Sequence, residues 1–160
     1  MTPRTGLALL FALILASWPT LAAAQGNSKG AVSISPVQNL AFGLLFPGRR
    51  EAVPTTDVSR RAVVALAGSG PIDVTLVLPT ALETPTGDRI PLSFSSSDAA
   101  LLTTSGATLK QLDPLQVNRV QLGNDRTMLL VLGGTAATSA ITRTGHYTAR
   151  VTILVNHPGT

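Results

Sequence analysis

Past residue 30 the apolar side chains recur at every second position, the spacing of strands that bury one face, with no window that sustains a helical repeat. Val32 and Ile34 alternate with Ser33 and Ser35, Ala62, Val64 and Leu66 with smaller neighbours, and Ile72, Val74, Leu76 and Leu78 with Asp73, Thr75 and Val77. Near the end, Tyr147, Ala149, Val151, Ile153 and Val155 fall on one face; Thr148, Arg150, Thr152 and Leu154 fall on the other, which is mostly polar and should meet water. Turn formers punctuate the pattern at Pro47-Gly48, Gly68-Ser69-Gly70-Pro71, Pro79, Pro85-Thr86-Gly87-Asp88, Gly123-Asn124-Asp125 and Gly133-Gly134. The clearest predicted hairpin joins Val117 to Leu122 with Thr127 to Leu132, because the intervening Gly123 to Arg126 is rich in residues that tolerate positive φ. Thr135 to Thr144, dominated by Thr and Ser, reads as a loop. Seven to nine short strands and no helix predict an all-β fold, an antiparallel Ig-like or pilin-like sandwich, with a barrel as the weaker alternative. The sheet edges then need cover, since an open edge presents unpaired N–H and C=O groups.

The first residues follow a different rule. Met1 to Gln25 has one charge at Arg4, an apolar run from Leu7 to Trp18, a break at Pro19 and small residues at Ala22, Ala23 and Ala24. This is the three-part arrangement of a secretory signal peptide, expected to span 1–24. A membrane anchor would need roughly 20 apolar residues, and Leu7 to Trp18 is too short. Export to the periplasm, cell surface or medium is therefore expected, with no membrane span in the mature chain. Residues 25–30 (QGNSKG) read as a flexible start, and 31–158 as one sandwich domain.

Composition narrows the chemistry. The 160 residues contain no cysteine, so neither a disulfide framework nor a thiolate metal site is available to the exported protein. The net charge of +4 is modest, and the pairs Arg49, Arg50 and Arg60, Arg61 lack the interleaved aromatic rings of a nucleic-acid surface. No nucleic-acid partner is expected.

Three stretches in order carry a resemblance. They are Phe42-Gly43 followed by Pro47-Gly48; a strand turning at Gly68 into a second strand that stops at Pro79; and Gly133-Gly134, a gap, then Gly145-His146-Tyr147 leading into the final strand. Together they resemble the bacterial exported family called domain of unknown function 4402, which is similar in turn to pilin-like and spore-coat-U-like domains. The resemblance covers about Ala31 to His157 and implies a structural β-sandwich. Two departures stand out: Asn156-His157-Pro158 replaces the usual closing aromatic, and the disulfide common in chaperone-assembled pilin relatives is missing. A dedicated assembly chaperone is therefore not carried over. The same residues have physical reasons of their own. Gly43 and Gly48 suit turns that a Cβ would strain, Phe42 suits an interior anchor, and Tyr147 suits a ring at the sheet end with its hydroxyl bonded to backbone.

No catalytic constellation is legible. His146 and His157 have no partner at zinc-ligand spacing, Asn124-Asp125 is too short for a calcium loop, and Gly68-Ser69-Gly70 lacks the flanks of a nucleophile elbow or phosphate loop. Asp57, Asp73, Glu83, Asp88, Asp98, Asp113 and Asp125 fall in turns or on polar faces. Neither enzyme activity, metal nor cofactor is expected. Two readings remain. In one, the chain is a fimbria-like or surface-coat subunit whose segment bearing Val32 and Ile34 is donated to the sheet edge of another copy or another surface subunit. In the other, it is a monomeric module that binds a surface ligand such as a glycan, although so few aromatic rings suit sugar stacking poorly.

Overall fold

The structure, a computed structural model, describes residues 32–123 and 127–158. The expected signal peptide, the segment 25–30 and Ala31 lie outside the described residues. In chain order the strands are β1 (Ser33–Gln38), β2 (Arg50–Val53), β3 (Ala62–Ala67), β4 (Gly70–Val77), β5 (Ala81–Glu83), β6 (Arg89–Ser93), β7 (Ala99–Thr103), β8 (Thr108–Leu112), β9 (Asn118–Leu122), β10 (Met128–Leu132), β11 (Gly134–Ala137) and β12 (Thr152–Asn156). All their pairings are antiparallel, and there is no helix among the described residues.

They form a five-stranded sheet ordered β1-β3-β10-β7-β8, a three-stranded sheet ordered β12-β4-β9, and a four-stranded sheet ordered β2-β11-β6-β5. The first two face each other across the main core. Period-two burial builds it: in β4, Ile72, Val74 and Leu76 are buried while Pro71 and Val77 are exposed. They meet Leu66 of β3, Leu101 of β7, Leu130 of β10 and Val120 and Leu122 of β9 in one cluster. A second cluster, around Phe42, Val53, Ile90 and Ala136, lies under the four-stranded sheet. Val63, Ala100, Leu102 and Val131 form a third on the other face of the five-stranded sheet. The fold is thus all-β and sandwich-like, as the alternation predicts.

The chain crosses between sheets at Gly133, where β10 of the first sheet runs into β11 of another. A Cβ on Gly133 would run into the Val53 carbonyl oxygen, so only glycine permits this close passage.

Four expectations need correction. The described residues form twelve strands rather than seven to nine, because β2, β5 and β11 are short ladders that the alternation is too brief to reveal. The hairpin predicted across residues 123–126 does not form: β9 pairs with β4, whereas β10 pairs with β3 and β7 in the opposite sheet. Turn chemistry selects a local reversal only when both arms stay in one sheet, and here burial on two facing layers separates them. Within the predicted loop 135–144, Thr135, Ala136 and Ala137 belong to β11, held between β2 and β6. The last strand begins at Thr152 rather than near Tyr147, and Ala149 is exposed.

Candidate functional site

The two facing sheets end differently at their two sides. On one side β8 and β9 follow each other in sequence and close the sandwich. On the other, β1 pairs only with β3 and β12 only with β4, and nothing among the described strands joins β1 to β12. Between them the interior opens into a groove with a volume of about 990 Å³. Its walls are apolar: Ile34 and Pro36 of β1, Val64 of β3, Leu130 and Leu132 of β10, and Val151 and Ile153 on the opposite lip. It continues towards Leu82, Ile90 and Leu92 beneath the four-stranded sheet.

The sequence-predicted motif residues divide cleanly. Phe42, Gly43, Pro47, Pro79, Gly145 and Tyr147 all line the groove, whereas Gly48, Gly68, Gly133 and Gly134 do not. Gly68 leads into the β3–β4 turn, and Gly134 lies so near the Phe94 ring that a Cβ would come within 2.8 Å of it. Gly43 and Gly48 have φ of +72° and +70°, conformations that L side chains rarely adopt. Phe42 is buried in the second cluster and Tyr147 packs against it; the Tyr147 hydroxyl donates to the Arg143 carbonyl oxygen at 2.7 Å. Val32 packs against the main core, and Ile34, registered opposite Leu66, is 41% exposed at the groove. The segment expected to be donated is therefore engaged on one side in its own sheet.

Each lip is held by specific bonds. The Thr138 Oγ1 hydroxyl lies 2.6 Å from the Phe46 carbonyl oxygen and 2.9 Å from that of Arg49, and accepts from the Arg49 N–H at 3.0 Å. Gly48 N–H donates to the Ser139 carbonyl oxygen, which fastens the 43–48 loop to the start of the opposite lip. Further on, Thr148 exchanges two backbone bonds with Glu83 of β5, at 2.8 and 2.9 Å. Below β1, Gln38 Nε2 donates to the carbonyl oxygens of Val58 and Arg61, and Ala41 N–H donates to that of Arg60. That supporting loop is itself stiffened by Asp57. Its carboxylate accepts from the Ser59 hydroxyl and from Arg60 Nε, each at 2.7 Å. Those bonds, Ser59 first and Arg60 second, lower its pKa from 3.8 to about 2.

The two edges beside the groove are not equivalent. In β1, Pro36 has no N–H to offer, and the register shifts between Pro36 and Gln38. Both features blunt an edge against further pairing. β12 contains no proline and keeps an unbroken register with β4 from Thr152 to Asn156. Its outer side retains the ladder groups that another strand would use.

Arg143 and Arg150 supply the formal charges among the described residues that line the groove, and Glu83 lies with Arg150 in the smaller pocket beside it. Arg143 comes within 3.8 Å of Asp88 and is 80% exposed, so the contact leaves its charge largely available. The two arginines do not stand out in the sequence, because they lie in an ordinary polar alternation and the facing wall comes from strands far away in order. Among the described residues no group of three or more His, Asp or Glu could hold a metal ion, and no helix is long and apolar enough to cross a membrane. Compared with known proteins, the chain matches no family model and no curated sequence.

Proposed function

We propose that the protein is an exported, non-catalytic structural subunit, fimbria-like or coat-forming, that joins other molecules by β-strand addition. The observation that carries this reading is the apolar groove between β1 and β12, open beside an edge with unused backbone donors and acceptors. Water in contact with so many apolar side chains is unfavourable, and such patches on a protein surface mark sites where another molecule packs. A strand seated there would bury alternate side chains in the groove and complete the ladder on β12, which satisfies both demands at once. The proposal keeps the resemblance to the domain of unknown function 4402 family and its pilin-like relatives, with Phe42, Gly43, Pro47, Pro79, Gly145 and Tyr147 shaping the groove. A glycan-binding module is less well supported: Phe42 is buried and Tyr147 packs into the second cluster, and although Phe46 is exposed it lies outside the groove lining, so none of these three offers the groove a flat ring for a sugar.

The test is hydrogen exchange on the secreted protein, with and without a synthetic peptide of alternating valine and threonine. Added peptide should slow exchange at the Thr152–Asn156 amides while leaving β8 unchanged. Exchange at β12 that no such peptide alters counts against strand addition.

A further inference from the structure

Two turns at one end of the molecule carry apolar side chains that nothing in the fold covers. Ile141 and Leu44 are the most exposed large apolar residues among those described, at 89% and 80%, and Phe46 is 62% exposed. Backbone bonds bring the turns together. Arg49 N–H donates to the Phe46 carbonyl oxygen and Thr142 N–H to that of Ser139, so 46–49 and 139–142 are each a tight reversal. The Ser139 carbonyl oxygen also accepts from Gly48 N–H, and the Thr138 hydroxyl bonds to the Phe46 carbonyl oxygen. The turns are thus fastened to each other and form one convex tip. Turns held in this way form as readily with polar side chains, and water is an unfavourable neighbour for leucine, phenylalanine and isoleucine.

The tip also carries charge. Arg49 and Arg50 follow the first turn, both exposed, and neither has an ion pair among the described residues. Residues 39–50 and 134–150 contain no Asp or Glu. Two carboxylates adjoin the region, and each meets another cation: Glu51 pairs with Arg60, and Asp88 lies 3.8 Å from Arg143. Arg143 is partly neutralised in this way, so the charge offered by the tip comes from Arg49 and Arg50. The closed side of the sandwich differs. There Leu115 and Val117 are also exposed, but they belong to a connection whose turn begins at Asp113, a carboxylate that an anionic surface would repel.

We propose that the tip is a lipid-facing surface: Leu44, Phe46 and Ile141 enter the outer part of an anionic bilayer, and Arg49 and Arg50 meet its phosphate headgroups. A convex tip suits a fluid apolar layer that moulds itself to it, whereas a protein partner would need a matching hollow. The protein then lies on the membrane without crossing it. This role does not depend on strand addition, because Phe46 and Ile141 are outside the groove lining; Leu44 alone of the three belongs to both.

The experiment sediments the secreted protein with vesicles of mixed phosphatidylglycerol and phosphatidylcholine, or of phosphatidylcholine alone. Partition should be about tenfold stronger onto the anionic vesicles, and added salt should erase the difference. Phe46→Ser with Ile141→Ser should weaken partition at least about tenfold. Arg49→Gln with Arg50→Gln should remove the preference for anionic lipid. Both double variants should keep the circular dichroism spectrum of the unaltered protein and the response of β12 exchange to the alternating peptide. Trp18, the only tryptophan, falls in the expected signal peptide, so a tryptophan introduced by substitution reports alone in the secreted protein. Emission of the Phe46→Trp variant should shift to the blue on anionic vesicles, and that of Leu115→Trp should not. Absence of partition onto anionic vesicles, partition that survives Phe46→Ser with Ile141→Ser, or an equal blue shift in Leu115→Trp each overturns the lipid-facing role. Equal partition onto the neutral vesicles overturns the anionic surface. A concentration-dependent dimer in size exclusion that Phe46→Ser with Ile141→Ser abolishes, without vesicle binding, overturns it in favour of a second copy of the chain.

Discussion

The two sides of the sandwich use the same kinds of residue and reach opposite outcomes. At the β8–β9 side, five residues join the facing sheets, and Asp113 and Asn118 lock them: Asn118 Nδ2 donates to the Asp113 carbonyl oxygen at 2.6 Å, and Asp113 N–H to Asn118 Oδ1 at 3.1 Å. Lys110 Nζ reaches the Arg119 carbonyl oxygen across the same seam. Behind it Leu112, Val120 and Leu122 are buried. At the β1–β12 side no short connection exists, and Ile34 and Ile153 are left only partly covered. A seam made by residues near in sequence costs little loop entropy; at the opposite seam no strand among the described residues bridges β1 and β12.

That contrast can be broken by mutation, beginning where the effect is largest. Ile72→Ala, in the main core, should cost about 2–5 kcal/mol, read from the denaturation midpoint. Gly133→Ala forces a methyl against the Val53 carbonyl oxygen and should cost about 1–3 kcal/mol, the range of overpacked sites. Ile34→Asp lies at the open side, where the side chain is already 41% exposed. Its stability cost should stay below about 1 kcal/mol, near the scale of surface changes, while peptide binding in calorimetry is lost. A large loss of stability in Ile34→Asp would remove the distinction between the two sides.

Acid should act on the groove's supporting loop. Asp57 has its pKa lowered from 3.8 to about 2 in the fold, so its contribution is fully present above 3.8 and is lost as pH falls through about 2. Asp57→Asn should flatten the acid limb of a stability-against-pH curve over that window, with little change at neutral pH beyond the missing ion pair. The smallest effect belongs to Arg119→Ala. Arg119 Nε sits 2.9 Å from Asp73, whose pKa its hydrogen bonding lowers, but the pair lies on the solvent face of β4 and β9. Only a slight drop in midpoint is expected, fading as salt rises.

Much of the inward-facing pattern was legible in the sequence. The alternation of Ile72, Val74 and Leu76 identifies the inward face of β4, and Ile153 and Val155, with Val151 just before the strand, mark the inward face of β12. The Tyr147 hydroxyl meets backbone as its amphipathic character demands. What could not be read is how strands are shared among sheets. Val117 to Leu132 has the local features of a hairpin, yet β9 and β10 pair with partners far away in the chain. β11 escaped notice because Gly134, Thr135, Ala136 and Ala137 lack the bulk that marks a strand; the sheets on either side hold them in place. The groove is a deeper case of the same kind. Its walls come from β1, β3, β4, β6, β10 and the 142–153 stretch, so no local window of sequence contains it.

The unequal edges of the groove bear on how the protein behaves when it is concentrated. Pro36 and the shifted register protect β1, so on this side of the sandwich unwanted strand pairing between unoccupied molecules should start at β12. Masking the last strand during preparation should then suppress aggregation that begins at the groove.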